Sequence, residues 1–267
     1  MTPILVATVC VAIIGLLIGF MLVQVGRKFE VETDPTESAV REALPGNNCG
    51  GCGYAGCDAL AAAIAKGEAP VDGCPVGGGP VAAKIAQIMD VEISDTGKKV
   101  AFVKCSGSFD KAARTANYIG IEDCNAAVAA GLGNKACSFG CLGFGSCVSA
   151  CEFDAIHVIN GVAFVDRNKC KACGKCVIAC PKHLIELLPD ESQYAVACAN
   201  MEKGPAVKKA CTTGCIGCGI CQKQCENDAV HVANFISHID YEKCIGCGKC
   251  AEKCPSKVIS LRYLVKA

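Results

Sequence analysis

The strongest constraint on this chain is a pattern of cysteines that occurs twice, at an offset of 74 positions. Eight cysteines in one segment each have a counterpart in the next. The first set is Cys137, Cys141, Cys147, Cys151, Cys170, Cys173, Cys176 and Cys180, and the second is Cys211, Cys215, Cys221, Cys225, Cys244, Cys247, Cys250 and Cys254. Agreement at eight positions indicates an internal duplication, so we expect two copies of one structural unit.

Each copy ends in the run C-x2-C-x2-C-x3-C-P, completed by Pro181 in the first copy and Pro255 in the second. This run is typical of bacterial two-cluster ferredoxins, in which the fourth cysteine binds the other cluster. The crossover predicts three complete [4Fe-4S] ligand sets. They are Cys151, Cys170, Cys173 and Cys176; then Cys215, Cys218, Cys221 and Cys254; and Cys225, Cys244, Cys247 and Cys250.

The leading run of the first copy lacks one expected thiolate, because Phe144 occupies the position that corresponds to Cys218. Our prediction for the missing ligand is Cys137, which gives the set Cys137, Cys141, Cys147 and Cys180. Cys105 and Cys124 are competing candidates, and a three-ligand site or a [3Fe-4S] cluster is a further alternative. We expect Phe144 to pack in the core or to shield a cluster.

Four further cysteines of the soluble part have no assigned ligand role: Cys105, Cys124, Cys198 and Cys211. They are expected to be either buried thiols or the ligands of an extra site. Cys10 lies in an apolar segment, where cysteine behaves as a small hydrophobic residue.

A separate cysteine group precedes the duplication. Cys49, Cys52 and Cys57 are followed by Cys74, and glycines around the first three suit a loop that closely surrounds a cluster. Four thiolates can hold one [4Fe-4S] cluster, which brings the predicted total to about five. Zinc is the alternative, because four-cysteine sites also bind it.

Composition separates metal binding from the other common use of cysteine. The chain has 25 cysteines in 267 residues, no Trp and a formal net charge of +0. Tight, repeated cysteine runs favour metal ligation over disulfides, which are typical of oxidising compartments. The balanced charge and the lack of a basic stripe argue against nucleic acid as a partner.

The first 26 residues contain no charged side chain. A membrane-spanning helix needs roughly 20 apolar residues, so this segment predicts a single anchor in the lipid bilayer. A cleaved signal peptide is the alternative, but no basic residue precedes the apolar run. Arg27 and Lys28 follow it directly, which predicts an outside N-terminus and cluster domains in the cytoplasm.

These observations predict an α+β protein with a single N-terminal transmembrane helix, a small helical [4Fe-4S] domain and two bacterial two-cluster ferredoxin-like units. The expected boundaries are 1–28 for the anchor, 29–91 for the linker and single-cluster domain, 92–190 for the first unit with an N-terminal extension, and 191–267 for the second unit. Asn160-Gly161 predicts a hairpin turn in the first unit, and Ala233-Asn234 marks the corresponding turn in the second.

The anchor, the linker motif E-V-E-T-D-P and the motif L-P-G-N-N-C-G-G-C-G-Y-A-G-C resemble the B subunit of Rnf electron-transport complexes. The likeness continues through K-A-C-S-F-G-C-L-G-F-G-S-C into the first ferredoxin unit, and the second unit resembles an extended form of this subunit. Glu152 and Glu226 depart from the pattern, because proline often stands at those positions.

The resemblance implies an electron-relay subunit of a cell-membrane (inner-membrane) oxidoreductase that exchanges electrons between ferredoxin and NAD and moves Na+ or H+. Its implied partners are the other subunits, soluble ferredoxin and the lipid bilayer. The chain carries no dinucleotide fingerprint and no complete active site, so hydride chemistry and ion movement are expected on partner subunits. The alternative is a related membrane reductase that keeps a redox-sensing transcription factor reduced.

Overall fold

The computed structural model describes residues 2–28, 34–92, 97–131 and 133–261, without the side chains of residues 2–11 and 26–28. The helices are α1 (Thr2–Lys28), α2 (Pro35–Ala43), α3 (Cys57–Ala65), α4 (Gly78–Met89), α5 (Cys124–Ala129), α6 (Ser146–Ser149), α7 (Lys175–Ala179), α8 (Gly204–Ala210), α9 (Ile220–Lys223) and α10 (Lys249–Glu252). The strands are β1 (Lys99–Val103), β2 (Ile156–Ile159), β3 (Val162–Val165), β4 (Ile185–Pro189), β5 (Tyr194–Val196), β6 (Val230–Ala233), β7 (Ile236–Ile239) and β8 (Ile259–Leu261). This mixture of helices and short strands agrees with the α+β expectation.

Helix α1 is a continuous helix of 27 residues. Large apolar side chains within residues 12–25 are exposed, including Leu16 at 75 % and Leu22 at 66 %. Counting only the helical residues whose side chains are described, no apolar stretch is long enough to cross a membrane.

Helices α2, α3 and α4 pack together into a small helical module. Asp34 caps α2 by accepting a hydrogen bond from the backbone N–H of Thr36 at 2.8 Å. The apolar faces meet in a core that contains Val40, Leu60 and Ile85, all at most 1 % exposed. Cys57 begins α3 and is buried in the same core, so the packing of the helices positions a predicted metal ligand.

Each of the two duplicated units combines one hairpin with one pair of distant strands. In the first unit β2 pairs with β3 and β1 pairs with β4, and in the second β6 pairs with β7 and β5 pairs with β8; all four pairs are antiparallel. The hairpins begin at Ile156 and Val230, which are 74 positions apart. The duplication in the sequence is therefore a duplication of structure.

The predicted hairpins are confirmed, with a shift of one residue at the second turn. Asn160 and Gly161 have positive φ angles of 47° and 75°, as the predicted turn requires. In the second unit the positive angles fall on Asn234 (51°) and Phe235 (62°), rather than on Ala233.

A glycine contacts the hairpin turn in both units. A Cβ atom on Gly143 would lie 2.6 Å from the carbonyl oxygen of Gly161, and one on Gly217 would lie 2.7 Å from that of Phe235. Both glycines also have positive φ angles. The loop that carries the leading cysteine run thus lies directly against the hairpin, which leaves no room for a side chain.

The two glutamates that replace proline form ion pairs. Lys175 contacts Glu152, and Lys249 contacts Glu226 at 2.6 Å. Each pair joins the leading cysteine run of its unit to the second run. These pairs are exposed, so their contribution to stability is small.

Candidate metal centres

The cavity in the leading half of the first unit, which we call site 2, is lined by Cys124, Cys141, Cys147 and Cys180. Cys137, which the spacing predicted for this set, lines a different cavity. Cys124 therefore occupies the place at site 2 where Cys137 was expected. Phe144, which replaces the cysteine of the second unit, instead packs against Tyr118, with ring centroids 4.7 Å apart and the rings tilted by 43°.

Cys124 is held beside site 2 by a hydrogen-bonded connection between α5 and α6. The backbone N–H of Cys124 donates to Ser146 Oγ at 2.8 Å, and Ser146 Oγ donates to Asp123 Oδ2 at 2.6 Å. Asp123 caps α5 and accepts from the N–H groups of Asn125 and Ala126. The hydrogen bond from Ser146 also lowers the pKa of Asp123. A capping aspartate therefore fixes the position of the unexpected fourth thiol.

A further cavity, which we call the bridging site, is lined by four cysteines. They are Cys105, Cys137, Cys198 and Cys211. Cys105 follows β1, Cys198 follows β5, and Cys211 follows α8. Three of these thiols were left unassigned by the sequence, as buried cysteines or ligands of an extra site. Their convergence on one cavity favours the second interpretation.

The bridging site lies between the two duplicated units. The N–H of Cys141 in site 2 donates to Cys105 Sγ at 3.4 Å, and the N–H of Cys215 in the second unit donates to Cys198 Sγ at 3.4 Å. Backbone pairing of Ala112 with Cys211 adds a further link between the units. One cavity thus contacts a cysteine of a predicted ligand set on each side.

Asn200 and Lys135 also line the bridging site. Asn200 is 2 % exposed, and its Nδ2 donates to Cys137 Sγ at 3.4 Å. Lys135 is 8 % exposed, and its Nζ donates to the carbonyl oxygens of Cys141 at 2.9 Å and Gly161 at 2.6 Å. Burial lowers the pKa of the Lys135 ammonium, whereas the nearby Cys105, Cys141 and Cys211 thiols oppose this change.

The spacing of the cysteines also predicted the ligand sets of sites 3, 4 and 5. The structure brings several cysteines of each set together. Site 3 is a cavity lined by Cys151, Cys170, Cys173 and Cys176, and site 4 is lined by Cys215, Cys218, Cys221 and Cys254. For site 5, burial first and then the charges of Cys244, Cys221 and Cys247 raise the pKa of Cys250 to about 11. The remaining member, Cys225, accepts from the N–H of Ala229 at 3.3 Å, as Cys151 accepts from that of Ala155 at 3.4 Å.

Site 1 is the set predicted from spacing, Cys49, Cys52, Cys57 and Cys74, in the helical module. Cys57 and Cys74 are buried in the core of this module and Cys52 packs against it, and Cys74 Sγ accepts a hydrogen bond from the N–H of Gly77 at 3.4 Å. Gly51, which lies between Cys49 and Cys52, packs against site 3, because a Cβ atom there would lie 2.7 Å from the carbonyl oxygen of Cys173. Site 1 therefore faces site 3.

The chemistry of these donor sets fits iron–sulfur clusters. Burial followed by the charge of neighbouring cysteines raises the pKa of Cys147 to about 12 and that of Cys176 and Cys250 to about 11. Several thiolates so close together need a positively charged group among them, and backbone N–H groups already point at the sulfurs. Among the described residues, no three His, Cys, Asp or Glu side chains converge closely enough to hold a single metal ion.

Family models match three segments of the chain. A model described as a putative Fe-S cluster matches residues 44–76, and two models described as 4Fe-4S binding domains match residues 162–185 and 237–260. The fold, the cysteine cavities and these matches define an iron–sulfur protein of the ferredoxin type.

Curated relatives extend the likeness over nearly the whole chain. The B subunit of the Na(+)-translocating ferredoxin:NAD(+) oxidoreductase complex of Acetobacterium woodii is 47 % identical over 244 residues, which cover 91 % of this chain and 73 % of that protein. The B subunit of the ion-translocating oxidoreductase complex of Methanosarcina acetivorans is 40 % identical over 264 residues, covering 98 % of this chain and 100 % of the relative.

A third relative, the B subunit of the proton-translocating ferredoxin:NAD(+) oxidoreductase complex of Clostridium ljungdahlii, is 40 % identical over 90 % of this chain and 85 % of its own length. The chain belongs to the family of B subunits of Rnf-type ion-translocating oxidoreductase complexes.

Proposed function

We propose that this chain is the electron-relay subunit of an ion-translocating ferredoxin:NAD oxidoreductase. The observation that carries the proposal is the arrangement of its cysteine groups, in which each group lies next to the following one in space. When bound, each [4Fe-4S] cluster accepts and passes on one electron at a time. The residues of the chain hold the clusters, shield them from water and set the distance between them.

We propose six [4Fe-4S] clusters, one more than the spacing alone predicted, with Cys124 in place of Cys137 at site 2. The ligand sets are Cys49, Cys52, Cys57 and Cys74 for site 1; Cys124, Cys141, Cys147 and Cys180 for site 2; Cys151, Cys170, Cys173 and Cys176 for site 3; Cys215, Cys218, Cys221 and Cys254 for site 4; Cys225, Cys244, Cys247 and Cys250 for site 5; and Cys105, Cys137, Cys198 and Cys211 for the bridging site. Each soluble cysteine is then used once.

The contacts between sites support one order of electron transfer, from site 1 through site 3, site 2, the bridging site and site 4 to site 5. Sites 3 and 2 are neighbours, because Cys170 of site 3 and Cys147 of site 2 are buried in one core. Sites 4 and 5 are neighbours in the same sense, because Cys221 and Cys250 are buried together in the core of the second unit. The bridging site joins the two halves through its hydrogen bonds to Cys141 and Cys215.

We propose that the chain exchanges electrons with partner proteins at the two ends of this order. Cys247 in site 5 and Cys218 in site 4 are exposed, which leaves the second unit open to a soluble redox protein. Soluble ferredoxin is the proposed partner there, and the other subunits of the complex are the proposed partners elsewhere. NAD chemistry and ion movement belong to those subunits, since this chain has no dinucleotide fingerprint.

We further propose that α1 anchors the chain in the cell membrane. A helix of 27 residues rises about 40 Å, which exceeds the roughly 30 Å hydrocarbon core of a bilayer. The absence of charge before Arg27 and the exposed apolar side chains of residues 12–25 support this role. The basic pair after α1 favours a single pass with cluster domains in the cytoplasm. Removal of residues 1–28 should release the chain from the membrane fraction.

Anaerobic analysis of iron and acid-labile sulfide in the purified full chain tests the relay. About 24 of each per chain would support six cubanes, whereas about 20 would exclude a cluster in the bridging site. Zinc in place of iron would overturn the relay. Mixing the oxidised chain with reduced ferredoxin should bleach its visible absorption, and the absence of bleaching would overturn the proposed partner.

A further inference from the structure

Lys135 is a buried cation between two metal centres. Its side chain is 8 % exposed and donates to the carbonyl oxygens of Cys141 and Gly161. Within the described part of the chain it forms no ion pair with a carboxylate. A buried charge without a counter-ion is costly, so a lysine here needs a negative group nearby.

The negative groups close to Lys135 are cysteine sulfurs. Lys135 lines the bridging cavity together with Cys105, Cys137 and Cys211, and its Nζ donates to the carbonyl oxygen of Cys141 of site 2 at 2.9 Å. The other side of Lys135 faces the Phe109 ring, whose centroid lies 5.2 Å from Nζ. Arg114 contacts the same ring at 4.2 Å, but its side chain is exposed. Lys135 is thus a buried basic group in the wall of the bridging site.

We propose that Lys135 is a positioning residue whose buried positive charge raises the reduction potential of the cluster in the bridging site. This inference rests on the proposed six-cluster function. A thiolate-bound cluster gains one negative charge when it takes up an electron, and no bond is formed or broken in that step. A nearby cation stabilises the reduced form, and burial protects this attraction from screening by salt.

The duplication provides a matched control at Lys209. Lys135 and Lys209 each begin the sequence Lys-Ala-Cys, and each precedes by two residues a cysteine of the bridging site. Lys209 lies in the last turn of α8 and is exposed, whereas Lys135 is buried. Water screens the charge of Lys209, so the same substitution there should leave the potential unchanged.

The experiment is a redox titration of the full chain followed by EPR, after iron analysis of every variant. At a fixed potential, Lys135→Met should increase the ratio of oxidised to reduced cluster about tenfold, which corresponds to a decrease of about 59 mV for one electron. Lys135→Gln, which retains a hydrogen-bond donor without the charge, should act in the same direction. Lys209→Met should match the wild type.

Cys198→Ala identifies the cluster concerned. Without the bridging cluster, adding Lys135→Met should cause no further shift in the remaining signals. A persistent shift would overturn the assignment to the bridging site. Full iron content with an unchanged reduction potential in Lys135→Met would overturn the proposed role of the positive charge. A reduction potential equal to that of the wild type in Lys135→Gln would do the same. About 20 iron in the wild type would overturn the bridging site and this inference with it.

Discussion

Gly51 of the helical module packs directly against Cys173 of the first ferredoxin-like unit. A Cβ atom at Gly51 would lie 2.7 Å from the carbonyl oxygen of Cys173 and 3.1 Å from its Cα. The neighbouring Cys49 and Cys52 belong to site 1, and Cys173 belongs to site 3. A glycine is therefore required where two cysteine loops meet, because any side chain would push the two sites apart.

Gly51→Ala should weaken the contact between the helical module and the first unit. Overpacking of this kind costs about 1–3 kcal/mol, or about a fivefold to 150-fold loss in the equilibrium for docking. We expect unchanged iron content but weaker magnetic coupling between reduced clusters 1 and 3, measured by EPR. Gly79→Ala is the control, since a Cβ there meets no atom within 4 Å. Unchanged coupling in Gly51→Ala would contradict the proposed contact between the two sites.

Pairs of cysteine substitutions should distinguish the two assignments of Cys137. If Cys137 and Cys211 share the bridging site, the double Ala variant should lose about four iron atoms, which is one cubane. Cys137→Ala combined with Cys147→Ala should lose about eight, because those cysteines belong to different sites. The ligand set expected from spacing, with Cys137 beside Cys147 at site 2, predicts a loss of about four from this second variant. Iron analysis of the two double variants decides between the assignments.

Asn200→Leu should lower the reduction potential of the bridging cluster. The substitution removes the Nδ2 donor that contacts Cys137 Sγ, and a hydrogen bond of this kind contributes about 0.5–1.5 kcal/mol. The expected change in the ratio of oxidised to reduced cluster is about tenfold or less. An EPR-monitored titration measures it, with the exposed Asn227→Leu as the control. A potential equal to that of the wild type would rule out a contribution from this hydrogen bond.

Removal of the clusters should unfold most of the chain after α1. In the described residues, the two ferredoxin-like units contain only short helices and two-stranded sheets, and cysteines form much of their two cores. Metal binding in such domains supplies folding free energy. Circular dichroism after oxidation and chelation should therefore lose its cooperative melt. A metal-free protein that melted like the iron-loaded form would contradict this expectation.

Local sequence patterns predicted most of the repeated architecture. The hairpin turn at Asn160-Gly161 was correct, because positive φ angles there follow from the chemistry of two adjacent residues. The second turn was displaced from Ala233 onto Phe235, a residue that rarely adopts positive φ. The offset of 74 aligns Asn234 and Phe235 with Asn160 and Gly161, so the duplication itself marks this turn, and Gly217 contacts its backbone.

The fourth cysteine at site 2 could not be predicted in the same way. Cys137 is close to Cys141 in sequence, and sequence proximity favoured it. Cys124 reaches site 2 because Asp123 and Ser146 join two helices. The Asp123-Cys124 pair is a recognisable helix start, but nothing in it tells which helix it will meet.

The sequence by itself determined the class of the chain, the duplication and the ligand sets expected from compact cysteine runs. A short run confines its thiols to a small volume, so spacing alone is informative. Only the tertiary structure brought Cys105, Cys137, Cys198 and Cys211 to one cavity. These four lie far apart along the chain, and their meeting depends on how β1, β5 and α8 pack between the two units, which no local pattern encodes.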